Sequence, residues 1–375
     1  MEFIKRNNIN NLKKIINKDH YTNILIVTGK NSFVKSGAQK IILNYLKKKK
    51  FKIFYKTLKI PDLRELKKLI NLIKIFKPNL IISIGGGATL DLSKIANVLF
   101  ELKNLEDEIL LNKYRINKRF CDLISIPTTA GSGAEVTTNA VIYIKNKKFS
   151  IENDLIKPND SLIFPEFVIS NTFKTKASSA FDALSQAIES LVSVKSSEES
   201  IKFSIKSINF FLENYDSYIG SNNLSNTYHM CLSAYYSGKA ISITKTTAPH
   251  AISYPFTAYF KIDHGHAVSL TLSEFLRFNY KNNKQSITNF DLKKRYELLF
   301  KLFRVKNIDE FINKINHIKA VFKLEDNFVK INKQIPNKID LILSNVNVQR
   351  LSNNPVRVTK QDIASILKKK IKNTK

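Results

Sequence analysis

The chain is poor in cysteine, in long apolar runs and in acidic residues, and each shortage excludes a class of protein. Its two cysteines, Cys121 and Cys231, stand in apolar surroundings without ligand-type spacing. That argues against a disulfide framework and against a thiolate centre. No apolar run approaches the roughly 20 residues that cross a bilayer. The N-terminus, Met1-Glu2-Phe3-Ile4-Lys5-Arg6, has no apolar stretch of the kind a secretory leader carries behind its charges. A cytoplasmic protein without a membrane partner is expected. Asp and Glu number 31 against 61 Lys and Arg, a formal net charge of +30. A clustered basic face would suggest nucleic acid, but the excess is mostly Lys spread along helix-like segments such as 47–50 and 368–370. Solvated lysine faces account for that pattern, so no nucleic-acid partner is expected; such a field still attracts anionic metabolites.

Glycine is scarce as well, ten in 375 residues, yet three stand together. The apolar run Leu80-Ile81-Ile82-Ser83-Ile84 stops at Gly85-Gly86-Gly87, after which a helix-like pattern resumes at Ala88-Thr89-Leu90-Asp91. A plain strand-to-helix turn needs one glycine and rarely three. Three residues without Cβ let the backbone turn sharply and bring its N–H groups against an anion at the positive end of the following helix. The spelling is neither the Walker pattern nor GxGxxG, which implies another nucleotide-binding lineage.

The length suits two domains, and a hydrophobic fraction of 43% supplies a large core. Between 23 and 170, short apolar runs alternate with amphipathic stretches. This predicts parallel βαβ units with strands at 24–27, 52–55, 80–84 and 123–126. Beyond 171, helical periodicity dominates at 178–194, 201–215, 228–241 and 267–278. The predicted fold is an α/β, Rossmann-like nucleotide domain over 1–170 followed by an all-α domain over 171–375. A second glycine-bearing stretch, IPTTAGSGAEVT at 126–137, follows a predicted strand directly. It puts hydroxyls and flexible backbone at the carboxyl edge of the sheet, where open α/β folds bind ligands. With the triple glycine it predicts a two-sided clamp.

The helical half supplies polar residues at suggestive spacing. Asp182 and Gln186 are one turn apart and share a helix face. His250 and His264 flank a short segment that contains Pro255 and ends in Asp263-His264-Gly265-His266. A single histidine in an apolar stretch is usually a satisfied core residue. Three of the six histidines within one short region point instead to a divalent-metal site.

Taken in order, the triple glycine with Asp91, the 126–137 stretch, the DALSQAIES helix at 182–190 and the paired histidines resemble the iron-dependent (group III) alcohol dehydrogenases. That family is related in fold to dehydroquinate synthase, and the likeness covers nearly the whole chain. It implies an oxidoreductase that uses NADPH or NADH with a divalent metal, Fe2+ or Zn2+, on a small-molecule aldehyde or alcohol. It also implies a homodimer. Carried over by position, Gly85, Gly86, Gly87, Asp91, Thr128, Thr129 and Ser132 would contact the cofactor, with Lys148 near the ribose. The metal would rest on Asp182, Gln186, His250 and His264. Gln186 stands where the family commonly has histidine, and an amide oxygen is a weaker ligand for iron or zinc. Without it three protein ligands would remain, enough for Lewis-acid catalysis.

Tyr254 occupies a position, four residues after His250, where the family often has a further histidine. The run from Thr244 to Thr257 followed by His264-Gly265-His266-Ala267 is most similar to the phosphonoacetaldehyde reductase branch. This implies reduction of phosphonoacetaldehyde to 2-hydroxyethylphosphonate in phosphonate biosynthesis. A phosphonate tail needs a charge-assisted anchor; Lys245 with Thr246 would supply it, although Lys245 also reads as one more solvated lysine. NAD-preferring relatives commonly place an aspartate where Gly29 stands, and a carboxylate there accepts the ribose 2′-hydroxyl and repels a 2′-phosphate. Gly29 leaves room and Lys30 would attract that phosphate, so NADPH is the expected reductant. The metal would polarise the carbonyl while hydride arrives from the nicotinamide, with His266 or Tyr254 as proton relay. Other readings stay open: a reductase of another small aldehyde, a dehydroquinate-synthase-like enzyme, or a basic binding protein without catalysis.

Overall fold

The computed structural model describes residues 2–3 and 8–372, so most of the Met1 to Arg6 reading lies outside the described residues. The chain divides into two compact units, Met1–Thr172 with Asn222–Tyr235, and Phe173–Ser221 with Tyr236–Lys375. The division falls inside the helix Leu224–Thr244.

In the first unit the strands are β1 (Glu2–Phe3), β2 (Asn23–Gly29), β3 (Lys50–Lys56), β4 (Leu80–Gly85), β5 (Asp122–Pro127), β6 (Asn139–Ile144), β7 (Lys147–Glu152) and β8 (Asp160–Leu162). Six of them form a parallel sheet in the order β1-β8-β5-β4-β2-β3. The other two, β6 and β7, form an antiparallel hairpin whose two-residue turn, Lys145 and Asn146, has positive φ at both positions. That is the turn geometry that matches strand twist. The central strands β2, β4 and β5 are apolar nearly throughout because both faces are covered. Leu25, Val27, Ile81 and Leu123 face one core, packed by the helices Leu63–Phe76 and Gly87–Val98. Their neighbours Ile24, Ile26, Ile82, Ile124 and Ile126 face the other. Each such buried side chain contributes about 1.5–3 kcal/mol. Strand order reverses between β2 and β4, since β3 lies on one side of β2 and β4 on the other. In open α/β sheets the carboxyl ends of the strands at such a reversal form the ligand crevice.

The second unit is helical. On the long helix Phe173–Val192 pack Glu198–Gly220 and His264–Lys281, and the helix Ala248–Phe260 lies against His264–Lys281. The periodicities at 178–194, 201–215 and 267–278 are therefore real helices, each longer at its N-terminal end than the pattern indicates. Ile252, Phe256, Phe275, Phe328, Ile363 and Leu367 belong to one apolar core. One contact is unusually close: a Cβ on Gly265 would stand 1.9 Å from the Ser178 carbonyl oxygen and 2.9 Å from Asp182 Cβ. Only glycine lets the start of the His264 helix press onto the backbone of the Asp182 helix. Among the described residues no helix is long and apolar enough to cross a membrane.

Candidate active site

Three strand ends converge at the reversal of the sheet. Thr28 of β2 pairs with Ile84 of β4, Gly85 pairs with Pro127 of β5, and the Thr128 N–H donates to the Gly85 carbonyl at 3.0 Å. Gly86 is the N-cap of the helix Gly87–Val98, and no side chain caps that helix. Its first-turn amides, which a helix cannot pair internally, are the donors an anion takes. A Cβ on Gly87 would meet Ser132 Oγ at 2.5 Å and one on Gly86 would meet Thr129 Oγ1 at 3.4 Å. The two glycine-bearing stretches thus touch, with Thr128, Thr129 and Ser132 beside the triple glycine. Gly29 ends β2 next to this point, and the exposed Lys30 opens the helix that follows.

Behind the clamp, the wholly buried Lys94 holds the second stretch in place. Its Nζ donates to the carbonyls of Ala134 (2.9 Å) and Asn139 (2.6 Å) and to Thr137 Oγ1 (2.7 Å). Asp91 accepts the Val141 N–H of the hairpin at 3.1 Å and stands 4.0 Å from Lys94 Nζ. Burial lifts its pKa to about 6, against the pull of Lys94 and of Lys148. Asp91 therefore braces helix against hairpin, and Lys148, opposite Tyr143 on β7, acts on it electrostatically.

In the helical unit, Asp182, His250 and His264 form a cluster whose ligand atoms lie within 4.8 Å of one another. Asp182 Oδ1 is 3.2 Å from His250 Nε2 and 3.9 Å from His264 Nε2. Ligands bound at about 2.0–2.2 Å around a tetrahedral ion stand roughly 3.3–3.6 Å apart, so the spacing fits a first-row divalent cation. One carboxylate and two imidazoles are also a chemically suitable donor set. Behind His250, Glu189 Oε1 bonds to His250 Nδ1, while Glu189 Oε2 accepts from Thr247 N–H (2.7 Å) and Thr247 Oγ1 (2.8 Å). This carboxylate fixes the tautomer with Nδ1 protonated and leaves Nε2 as the ligating atom. Burial opposes charge on His250, but Glu189 and Asp182 outweigh it and hold the metal-free imidazole at a pKa of about 9.

Gln186 stands beside Asp182 as its spacing predicts. Its amide nitrogen donates to Asp182 Oδ2 at 3.2 Å, and its oxygen accepts from Ser237 Oγ at 3.0 Å. Tyr254 stacks on His264, with ring centroids 5.7 Å apart and planes 15° from parallel. Burial holds its phenol above the ordinary value, against the pull of Arg350. The Lys245 ammonium reaches the Ser242 carbonyl at 3.3 Å, in the last turn of its own helix, and Lys245 takes a left-handed φ of 60° there. Thr246 is buried next to it and bonds to Tyr254. His266 Nε2 is bound to the Glu325 carbonyl at 2.7 Å, and burial lowers its pKa. Both cysteine thiols are pushed up by burial, Cys121 to about 12.

Two functional positions escaped the sequence reading. Glu189 lies three residues beyond Gln186 and seven beyond Asp182, so the i, i+4, i+7 spacing was the available signal. Gly265 separates the two histidines that drew attention, and its role becomes visible only through the backbone it touches.

Two family models together match nearly the whole described chain. The family model for iron-containing alcohol dehydrogenase matches residues 3–169, and that for the C-terminal part of the same family matches 176–371. Phosphonoacetaldehyde reductase of Streptomyces viridochromogenes is 28% identical over 56% of this chain and 55% of its own length. 4-Hydroxybutyrate dehydrogenase of Clostridium kluyveri is likewise 28% identical, over 55% and 56%. The aligned region thus spans about half the length of these curated relatives. In fold, the chain superposes on sulfoacetaldehyde reductase from Bifidobacterium kashiwanohense, solved with NAD+, with a TM-score of 0.85 at 24% identity, covering 99% and 96% of the two chains. An iron-containing alcohol dehydrogenase from Thermococcus thioreducens gives a TM-score of 0.88 at 17% identity, covering 99% and 98%. On the two family models, this chain belongs to the iron-containing alcohol dehydrogenase family.

Proposed function

We propose that this protein is a metal-dependent aldehyde reductase that consumes NADPH, and that its substrate is phosphonoacetaldehyde, reduced to 2-hydroxyethylphosphonate in phosphonate biosynthesis. The observation that carries the metal dependence is the cluster of buried Asp182 and His250 with half-buried His264, braced by Glu189. The substrate assignment is supported by names: two of the relatives are named for short aldehydes that carry a tetrahedral oxyanion.

In this reading the half over 1–170 binds the dinucleotide and the half over 171–375 holds metal and substrate. The amides after Gly86 take the pyrophosphate, and Thr128, Thr129 and Ser132 line the same clamp. Asp91 and Lys148 support it from the hairpin side. Gly29 leaves room for a 2′-phosphate and Lys30 attracts it; NADH is the alternative reductant. Asp182, His250 and His264 hold Fe2+ or Zn2+, with Gln186 at the Asp182 carboxylate. When bound, the ion supplies Lewis-acid polarisation of a carbonyl. Lys245 and Thr246 would anchor the substrate's anionic tail. Tyr254 keeps its proton at neutral pH and supplies it from Oη; His266 donates its Nε2–H to the Glu325 carbonyl, so its Nδ1 passes on a proton only after accepting one. A cytoplasmic homodimer is the form in which this chemistry operates.

The test mixes purified protein, Fe2+ or Zn2+ and NADPH with phosphonoacetaldehyde, succinic semialdehyde and propanal. Greatest kcat/KM on phosphonoacetaldehyde is expected. Preference for succinic semialdehyde would move the substrate toward that of the 4-hydroxybutyrate dehydrogenase relative, and preference for propanal would remove the anionic tail altogether. NADPH left unoxidised with every aldehyde would remove the reductase reading.

A further inference from the structure

The helix Phe173–Val192 that supplies Asp182 also carries Gln186, one turn further on and on the same face. By resemblance Gln186 would be a fourth metal ligand, but its surroundings give it a different task. Asp182 and Gln186 are both buried, each 4% exposed. Asp182 Oδ1 faces the two imidazoles, while Oδ2 lies 3.2 Å from the Gln186 amide. An ionised carboxylate only accepts, so the amide atom beside Oδ2 is the NH2. The amide oxygen, the one atom of Gln186 suited to a cation, is thereby turned to Ser237, whose hydroxyl donates to it at 3.0 Å.

Ser237 is itself held in register. It lies on the helix Leu224–Thr244, whose last residue is tied to the chain of Asp182. Thr244 Oγ1 donates to Ser190 Oγ at 3.0 Å, and the Thr244 carbonyl accepts from Ser193 Oγ at 3.0 Å. For its oxygen to reach an ion at Oδ1, the Gln186 amide would have to turn over. That exchange gives up a charge-assisted N–H···carboxylate bond and sets an acceptor against Oδ2. In return it yields only an amide oxygen, a weak ligand for iron or zinc.

We infer that Gln186 is a positioning residue and not a metal ligand: its NH2 occupies Asp182 Oδ2, Ser237 sets the direction of the amide, and Asp182 binds the ion through Oδ1 alone. The ion then has three protein ligands. Three, with a further position for water or substrate, is the donor count of catalytic zinc sites, whereas structural sites are closed by four. The inference rests on the metal site proposed above and not on the choice of aldehyde or reductant.

Zn2+ affinity is measured by chelator competition for wild type, Gln186→Leu, Ser237→Ala and the double variant, with thermal melting to verify folding, and the zinc-loaded wild type is crystallised. Gln186→Leu removes the donor that steadies Asp182, and affinity falls roughly 10- to 100-fold. Ser237→Ala lowers it by less and adds nothing in the Gln186→Leu background, because Ser237 acts through the amide. In the crystal Asp182 binds through Oδ1, and Gln186 Oε1 stays on Ser237, outside the roughly 2.0–2.2 Å of a bonded oxygen. The inference is overturned by Gln186 Oε1 at bonding distance, by both Asp182 oxygens on the ion, by wild-type affinity in Gln186→Leu or Ser237→Ala, or by a Ser237→Ala loss that adds in full to that of Gln186→Leu. Zinc absent from Asp182, His250 and His264 in the wild type overturns it together with the metal site. Zinc held as described in a protein that oxidises no NADPH keeps the inference and discards the reductase.

Discussion

Replacing Glu189 by glutamine removes one negative charge from the centre while keeping its outline. In the native protein both carboxylate oxygens are acceptors, one for His250 Nδ1 and the other for the Thr247 N–H and hydroxyl. An amide has a single acceptor oxygen. If its NH2 faces Thr247, a donor meets a backbone donor and a buried N–H goes unpaired. If it faces His250, Nδ1 must become the acceptor, the proton moves to Nε2, and the ligating atom is lost. Either outcome costs about 1–3 kcal/mol, which is roughly 5- to 150-fold in metal affinity and agrees with the 10- to 100-fold losses typical of such supporting carboxylates. The assay is competition for Zn2+ against a chelator of known affinity, with circular dichroism to verify folding. In the metal-free variant the pKa of His250, followed by NMR, falls from about 9. Metal affinity within twofold of wild type, in a folded variant, would refute this account of Glu189.

Other perturbations reach different parts of the structure. Gly265→Ala sets a methyl group 1.9 Å from the Ser178 carbonyl and forces two helix backbones apart, so metal binding and several kcal/mol of stability, on the order of 3 or more, are lost; a melting curve like wild type would contradict it. Gly87→Ala drives a methyl group into Ser132 Oγ at 2.5 Å, and the expected result is about a tenfold rise in KM for NADPH from one lost backbone contact, with metal content unchanged. The raised pKa of His250 has a definite sign: its stabilisation of the metal-free protein is full below the ordinary value of 6.5 and is lost as pH rises through about 9. Zinc binding at pH 7 therefore displaces a proton, and calorimetry in buffers of different ionisation enthalpy should show it; heats independent of buffer would argue otherwise.

Much of the fold was legible because its signals are local. The turn at Gly85 to Gly87 follows from the missing Cβ atoms, and the strands of the sheet follow from apolar runs that only a sheet covered on both faces explains. Short strands were not: β8 pairs through Asp160 and Ser161, where no apolar run stands out. In the site, Asp182 and Gln186 were readable from helical spacing, and His250 and His264 from their clustering. What Gln186 does was not readable, because its amide is oriented by Ser237 from a distant helix. Nor does any spacing rule show that Pro255 frees the Ala251 carbonyl for the Asn347 N–H, almost a hundred residues later.

The central claim is that a divalent ion is held by Asp182, His250 and His264, and anomalous diffraction at the iron or zinc edge from crystals of the metal-loaded protein tests it most directly. One strong peak within about 2.0–2.2 Å of Asp182 Oδ1, His250 Nε2 and His264 Nε2 is the predicted result. A metal-loaded protein whose peak lies away from these three atoms would contradict it.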